Sequence, residues 1–324
     1  NLRYIVFRRR DFMKTAVREA ARTIQRMGTS IELKVAHTKP ESVLDELETQ
    51  LKVYDHRFSA NDPRSELNQL NQLAGQMGLV LDPELYQLIE IGKHHSCAPH
   101  SQLNIAIGPL VQAWRIGFED ARIVSKTQVK ELLALTDPQQ IQLAAGKVFL
   151  KKAGMRIDLG ALAKGYIADK LRTHCQARGA AYGLINLGGN IVCFGAAPNH
   201  SDGHWRIGIR DPKGGRADTL GILPIKDQTV VTSGIYERVL TTAEGTYHHL
   251  IDPQSGFPIE CGYLSITIVA ATSLLGEIWT SRLFGKPIPV VLQEIQQQPE
   301  IEGIIVTKEN EVIASKGIQA RLLR

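Results

Sequence analysis

The spacing of apolar residues in the first half of the chain predicts helices. Residues 40–54 carry them at helical intervals, which gives one inward-facing stripe. Asp82, Pro83 and Glu84 form a typical helix start, with a cap, a first-turn proline and an acidic first turn. A shorter helix is predicted to begin at Ser125. We expect these helices to act as a scaffold.

After Asp137 the pattern changes to short strands. Residues 141–143 and 148–150 are predicted to form a hairpin, and helices are predicted at 162–177, 272–285 and 290–297. The other strand candidates are residues 182–186, 191–194, 205–210, 220–225, 228–232, 237–241, 246–250, 265–270, 303–307 and 312–314. Closely spaced strands favour antiparallel pairing, so we predict an α+β fold of mainly antiparallel sheets flanked by helices.

The composition is that of an ordinary globular protein with a basic charge balance. The 324 residues are 43% hydrophobic and 22% charged, and the formal net charge of +5 favours anionic partners in general. The run Arg8, Arg9 and Arg10 marks residues 1–26 as an N-terminal basic arm, which leaves 27–324 as the folded domain. No apolar run has the length of a membrane span. Basic and aromatic residues do not interleave, so no nucleic-acid partner is expected.

The segment from Asp158 to Lys164 joins the end of a strand, through Gly160, to the start of a helix. Free backbone N–H groups and the positive end of a helix dipole suit an anion such as pyrophosphate, and Lys164 adds a full charge. A strand–helix junction with a solvent-exposed lysine is the alternative. The segment alone does not decide between the two interpretations.

Three further segments carry candidate chemistry. Gly188 and Gly189, in the segment from Asn186 to Asn190, lie between two predicted strands, where they suit either a hairpin turn or the close approach of a ligand. Thr232 and Ser233 are followed by two adjacent histidines, His248 and His249, and then by an Asp-Pro turn that begins at Asp252. Neighbouring residues of a strand face opposite ways, so only one of the two histidines is expected to enter a cleft. Either could equally be a core imidazole.

The last segment is a helix on which Glu277 and Ser281 are four residues apart and so share a face. A carboxylate and a hydroxyl are oxygen ligands of the kind that Mg²⁺ prefers. A solvated helix face is the alternative interpretation.

In their order and approximate spacing, these four segments resemble the FAD:protein FMN transferase family, the ApbE type. The resemblance covers nearly all of the chain after Met27. Further matching positions are Met27 to Thr29, Phe58 with Ser59, Ser65 to Leu67, Asn71, Gly108 to Leu110, Trp114, Trp205, and Asp211 with Pro212. So many ordered matches are more specific than any one glycine motif.

The resemblance implies an enzyme that uses FAD as its substrate and Mg²⁺ as its metal ion. Its FMN would pass to a Thr or Ser hydroxyl in a short motif of an acceptor flavoprotein, and AMP would leave. The fold would have two intimately packed subdomains with the FAD cleft between them. The metal would be bound by the carbonyl of Ala161 and the side chains of Glu277 and Ser281. The family implies an FAD site formed by Met27, Ser59, Lys164, Gly188, Gly189, Thr232 and Ser233, with His249 and Asp252 as the catalytic residues.

The chain departs from the family pattern at two places. Glu277 and Ser281 stand where Asp and Thr are usual, and Leu103 with Asn104 stand where Phe-Asp is common. The alternative functions are an FAD pyrophosphatase that releases FMN and AMP, and a non-catalytic FAD-binding protein. No lipid-box cysteine is present, so we expect a cytoplasmic protein. The alternative is an exported or membrane-anchored lipoprotein whose anchor lies outside this sequence.

Overall fold

The computed structural model describes residues 16–215 and 217–323. Within them, the strands are β1 (Arg18–Arg26), β2 (Thr29–His37), β3 (Leu79–Val80), β4 (Ile141–Ala144), β5 (Lys147–Leu150), β6 (Tyr182–Leu187), β7 (Asn190–Phe194), β8 (Trp205–Arg210), β9 (Thr219–Ile225), β10 (Thr229–Gly234), β11 (Val239–Thr242), β12 (Gly245–His248), β13 (Tyr263–Ala270), β14 (Ile301–Thr307) and β15 (Val312–Ala314). The helices are α1 (Pro40–Arg57), α2 (Glu66–Gln72), α3 (Pro83–Ser96), α4 (Gly108–Trp114), α5 (Lys126–Leu133), α6 (Ala163–Ala177), α7 (Ser273–Leu283), α8 (Ile288–Gln296) and α9 (Lys316–Gln319).

A sheet of eight strands forms the centre of the fold. Its order is β1-β2-β6-β7-β10-β13-β14-β15, and each neighbouring pair is antiparallel. Strands β3, β5 and β4 form a smaller antiparallel sheet, while β8 with β9 and β11 with β12 form hairpins. The predicted α+β fold with mainly antiparallel sheets is confirmed.

Both faces of the large sheet are covered. Helices α1, α6, α7 and α8 pack on one face, where Val231 of β10 lies so close to Gly276 of α7 that a Cβ on Gly276 would be 2.6 Å from Val231 Cγ2. On the other face, buried side chains of the β8–β9 hairpin such as Ile207 and Leu223 form a cluster with Val230 and Val269 of the sheet. Burial on both sides explains why β13 is nearly all apolar.

Two tight turns lie side by side at one end of the sheet. Met27 and Gly28 join β1 to β2 with φ of 51° and 68°, and Gly188 and Gly189 join β6 to β7 with φ of 64° and 103°. Two consecutive positive φ values are those of a two-residue hairpin turn. Because Ile31 of β2 pairs with Leu187 of β6, the two turns are neighbours. This end of the sheet positions the site described below.

The boundary predicted for the basic arm is corrected by the structure. Arg18–Arg26 form β1, which pairs with β2 along its whole length, so part of the predicted arm belongs to the sheet. The strand was not predicted because its sequence is largely polar. As an edge strand, β1 makes ion pairs with α1 through its inward face. Arg22 Nη1 lies 2.8 Å from Asp45 Oδ1, and Arg26 Nη1 lies 3.3 Å from Asp55 Oδ2. Residues 1–15, with Arg8 to Arg10, lie outside the described residues.

The predicted helix starts are confirmed by their caps. The Asp82 carboxylate accepts a hydrogen bond from Glu84 N at 2.9 Å, and the Ser125 hydroxyl accepts one from Gln128 N at 3.2 Å. Among the helices of residues 16–215 and 217–323, none combines the length and apolar content that a membrane crossing requires.

Candidate functional site

Helices α6 and α7 cross at very close range near the start of α6. A Cβ on Gly165 would lie 2.6 Å from the Ser273 carbonyl oxygen and 2.7 Å from Glu277 Cγ. The crossing is also tied by Asp169, whose carboxylate accepts hydrogen bonds of 2.9 Å from Ser273 N and from Leu274 N. These backbone donors are the unsatisfied N–H groups at the start of α7. The contact brings the first turn of α6, with Lys164, next to Glu277.

Glu277 is a buried carboxylate, with 5% of its surface exposed. Asn190 Nδ2 donates a 2.8 Å hydrogen bond to Glu277 Oε1, and no cation of the described chain forms a salt bridge with it. Burial raises the pKa of Glu277, although the charge of Lys164 and the Asn190 hydrogen bond oppose the shift. A buried carboxylate without an ion-pair partner is a position that a bound cation would stabilise.

The two other predicted metal ligands are Ala161 and Ser281. Ala161 lies two residues before α6, and its carbonyl oxygen accepts no hydrogen bond from the described residues. Ser281 is half-buried one turn beyond Glu277 on the same face of α7. In the part of the chain that the structure describes, no three His, Cys, Asp or Glu residues are grouped so as to hold a metal. Any magnesium site here would therefore depend on one carboxylate and further oxygen atoms, including those of a substrate.

The paired glycines form the β6–β7 turn, which confirms the hairpin interpretation. Gly189 N donates a 2.9 Å hydrogen bond to Asn186 Oδ1, and a Cβ on Gly189 would meet no atom within 4 Å. A Cβ on Gly188 would collide with Thr29 of the neighbouring turn. The next residue, Asn190, contacts Glu277, so the turn is joined directly to the buried carboxylate. Open backbone at Gly189 is compatible with ligand approach as well.

Thr232 and Ser233 are separated by the alternation of β10. Val231 faces α7, so Ser233, two residues later, shares that face, whereas Thr232 points to the other side of the sheet. There the Thr232 hydroxyl lies 2.8 Å from the Thr267 hydroxyl of β13. The sequence analysis placed both residues in one FAD site; the structure brings only the Ser233 side chain to the face of Glu277.

The two adjacent histidines also have different environments. His248 is buried, and its Nε2 donates a 2.8 Å hydrogen bond to the Ile259 carbonyl, which is a structural role. His249 is half-buried beside Arg238. Burial lowers the pKa of His249 to about 4, and the positive charges of Arg238 and Lys164 act in the same direction. The positive charge of Lys164 contributes to the pKa directions of both His249 and Glu277, so it is close enough to each of them to interact electrostatically.

The remaining predicted residues are held in turns. The Asp252 carboxylate accepts a 2.9 Å hydrogen bond from Gln254 N and shapes the turn that follows His249. The Ser59 hydroxyl accepts hydrogen bonds from Asn61 N and Asp62 N, at 3.2 and 3.0 Å, in the loop after α1. Neither side chain forms a recorded contact with Glu277 or His249, so their assignment to the site stays a prediction.

Three residues outside the predicted set also belong to this region. Asn190 bonds to Glu277, Arg238 contacts His249, and half-buried Asp158 has a pKa raised by burial in the segment that leads to Lys164. Asp158 had a signal in the sequence as part of the strand–helix motif, and Asn190 had one as the last residue of the paired-glycine segment, although neither was assigned a role. Arg238 reaches the site only through the pairing of β11 with β12.

Comparison with known proteins agrees with this geometry and with the resemblance found in the sequence. The model of the ApbE family matches residues 27–305. An FAD:protein FMN transferase of Klebsiella pneumoniae is 36% identical over 291 residues, which are 89% of each chain. One from Treponema pallidum is 32% identical over 328 residues, covering 95% of this chain and 90% of its own length. The crystal structure of the ApbE protein of Thermotoga maritima superposes with a TM-score of 0.86 at 25% identity, covering 94% of this chain and 99% of its own. The chain therefore belongs to the ApbE family.

Proposed function

We propose that this chain is an FAD:protein FMN transferase, which moves FMN from FAD to a Thr or Ser hydroxyl of an acceptor flavoprotein and releases AMP. The two transferase relatives match it over 89% and 95% of its length, and the family match over residues 27–305 spans every segment of the candidate site. The structural observation that supports this chemistry best is buried Glu277, which lacks an ion-pair partner in the described chain and lies against the first turn of α6, the turn that contains Lys164.

The oxygen donors around Glu277 fit Mg²⁺. The Glu277 carboxylate, the Ala161 carbonyl and the Ser281 hydroxyl would hold the ion, and phosphate oxygens of FAD would complete its ligands. When bound, the ion supplies positive charge that offsets the negative charge developing on the phosphoryl oxygens. Asn190 orients the carboxylate through its 2.8 Å hydrogen bond.

Lys164 and the start of α6 bind the diphosphate of FAD. The ammonium group and the free N–H groups of the first helical turn favour an anion at this position. Ser233 lies on the same side of the sheet as Glu277, and the backbone at Gly189 is open to the approach of a ligand. Water is kept from the carboxylate by the close crossing of the two helices at Gly165.

His249 accepts the proton of the acceptor hydroxyl. The Arg238 carbonyl, 3.4 Å from His249 Nδ1, can only accept a hydrogen bond, so Nδ1 carries the hydrogen and Nε2 carries the lone pair. The hydroxyl oxygen forms a bond to the phosphorus of FMN as its proton passes to Nε2. The bond from that phosphorus to the bridging oxygen breaks, and its electron pair leaves with AMP.

The function is tested by mass spectrometry of a flavoprotein subunit that has a candidate Thr or Ser motif. The subunit is incubated with this protein, FAD and Mg²⁺, and a parallel sample contains EDTA. We expect a mass increase equal to FMN that EDTA abolishes, together with one AMP for each adduct. AMP without an adduct on several acceptors would indicate the pyrophosphatase. FAD binding without either product would indicate the binding protein.

A further inference from the structure

Arg238 extends across the candidate site from the loop between β10 and β11. Its aliphatic stem passes directly over Gly117, since a Cβ on Gly117 would lie 2.7 Å from Arg238 Cδ. Its guanidinium reaches the β1–β2 turn, where a Cβ on Gly28 would lie 3.4 Å from Arg238 Nη2. The absence of a side chain at Gly117 therefore leaves room for the stem of Arg238. The stem is held by packing, and the charged end lies beside the turn that contains Met27.

The guanidinium has no carboxylate partner in residues 16–215 and 217–323. Arg115 and Arg210, by contrast, are paired, Arg115 with Asp120 at 3.0 Å and Arg210 with Glu237 at 2.9 Å. Arg238 forms no such bridge, although it is solvent-exposed and its charge acts on both Asp158 and His249. An unpaired guanidinium in a site that also contains Lys164 is available for an anionic ligand.

The backbone of the same residue holds the proposed base. The Arg238 carbonyl accepts a 3.3 Å hydrogen bond from His249 N and lies 3.4 Å from His249 Nδ1. Val239 pairs with His248 in the β11–β12 ladder, so this contact continues the hairpin by one residue. A shift of Arg238 would therefore move the imidazole of His249 as well. Arg238 therefore links the position of the His249 imidazole to the position of its own guanidinium.

We propose that the Arg238 guanidinium binds a diphosphate oxygen of FAD beside His249, an assignment that rests on the proposed transferase function. The planar fork of its N–H groups suits two phosphate oxygens, while the Lys164 ammonium contributes a point charge from the α6 side. During transfer, the guanidinium stabilises the negative charge on the oxygens of the phosphoryl group as the hydroxyl of the acceptor attacks it. It gives up no proton, which passes from the hydroxyl to His249.

The test compares Arg238→Met, which keeps the stem, with Arg238→Lys, which keeps the charge. FAD and riboflavin affinities are measured by fluorescence titration of each full-length variant, because riboflavin has the same ring system and no phosphate. We expect Arg238→Met to bind FAD about 10- to 100-fold more weakly, the usual effect of losing a hydrogen bond to a charged group, and to bind riboflavin as the wild type does. Arg238→Lys should recover part of the loss. Arg206→Met, on a guanidinium 2.6 Å from Asp202, is the matched control and should bind both ligands normally.

Equal FAD affinity in Arg238→Met and wild type would overturn the assignment, as would an equal loss of FAD and riboflavin affinity, which would indicate a packing role. The titrations need no transfer activity, so they remain decisive if wild-type protein labels no acceptor. In that case the proposed function fails separately. Where wild-type protein is active, the acid limb of the pH profile of Arg238→Met should move to higher pH, because His249 then faces Lys164 and His248 but no longer Arg238.

Discussion

Gly165 of α6 lies directly against Glu277 of α7, and a Cβ on this glycine would be 2.7 Å from Glu277 Cγ. The absence of one methyl group thus sets the depth at which the carboxylate is buried. The same position is 2.6 Å from the Ser273 carbonyl, which is backbone and does not move aside as a side chain would. The identity of residue 165 therefore controls the geometry of the site.

Replacing Gly165 by Ala should destabilise the protein by about 1–3 kcal/mol, since the added methyl group forces α6 and α7 apart. The higher helix propensity of Ala offsets part of this cost, by about 1 kcal/mol at most. Urea unfolding of the purified variant measures the change. Gly262→Ala is the control, because a Cβ there would meet no atom within 4 Å. A Gly165→Ala variant with wild-type stability would contradict the close crossing.

Replacing Glu277 by Gln should weaken the dependence of transfer on Mg²⁺ strongly and should change FAD affinity much less. The amide keeps the shape but has no charge to bind the ion, so the Mg²⁺ needed for half-maximal transfer should rise by more than about tenfold. Without metal, the variant should be at least as stable as wild type, because a buried uncompensated charge is gone. Thermal unfolding with and without Mg²⁺ measures both effects. Exposed Glu300→Gln serves as the control, and unchanged Mg²⁺ dependence in Glu277→Gln would exclude it as a ligand.

Replacing His249 by Asn should lower the transfer rate by about 100-fold or more while FAD remains bound, since general-base catalysis typically contributes this much. The neighbouring His248 provides the comparison. His248→Ala leaves the Ile259 carbonyl without its 2.8 Å partner and should cost about 1–3 kcal/mol of stability. Its rate at temperatures where it is folded should stay near that of wild type. Equal rates for His249→Asn and wild type would remove His249 from the mechanism.

The pH dependence of transfer should lack an acid limb near the ordinary pKa of histidine. Burial, followed by the charge of Arg238, lowers the pKa of His249 to about 4. A lowered pKa favours the neutral imidazole, so the base form is fully present at pH 7 and is lost only as the pH falls towards 4. Measurement of kcat/KM from pH 4 to 8, with unfolding checked at each pH, tests this. A limb centred near 6.5 would show that the histidine is solvated in the free enzyme.

Much of the fold could be predicted from short stretches of sequence. The bounds predicted for residues 205–210 and 312–314 coincide with β8 and β15, and the caps at Asp82 and Ser125 are where the residue types place them. Such features depend on a few neighbouring residues. Strand β1 was not predicted because its inward positions include Arg22 and Arg26. These two side chains form ion pairs with carboxylates of α1 and do not pack in an apolar core.

The candidate site could be predicted less well from short stretches of sequence, because its contacts join segments that are far apart in the chain. The first turn of α6, which contains Lys164, meets Glu277 only where α6 crosses α7, and no pattern in either helix indicates the crossing. The family resemblance assigned both residues to one site, and that assignment stays a prediction. The division of Thr232 from Ser233 required the register of β10 against β13, and the contact of Arg238 with His249 required the β11–β12 pairing. Alternation alone did predict that His248 and His249 would differ.

The direction of the edge strand β1 determines where a tether or label can be attached without covering the candidate site. It runs for nine residues from Arg18 to Arg26, so Arg18 lies about 31 Å from Met27 in the β1–β2 turn, at roughly 3.4 Å per residue. A tether or fluorescent label attached at Arg18 would therefore join the molecule at the end of β1 opposite that turn. We expect immobilisation from that side to keep the β1–β2 and β6–β7 turns accessible to an acceptor protein.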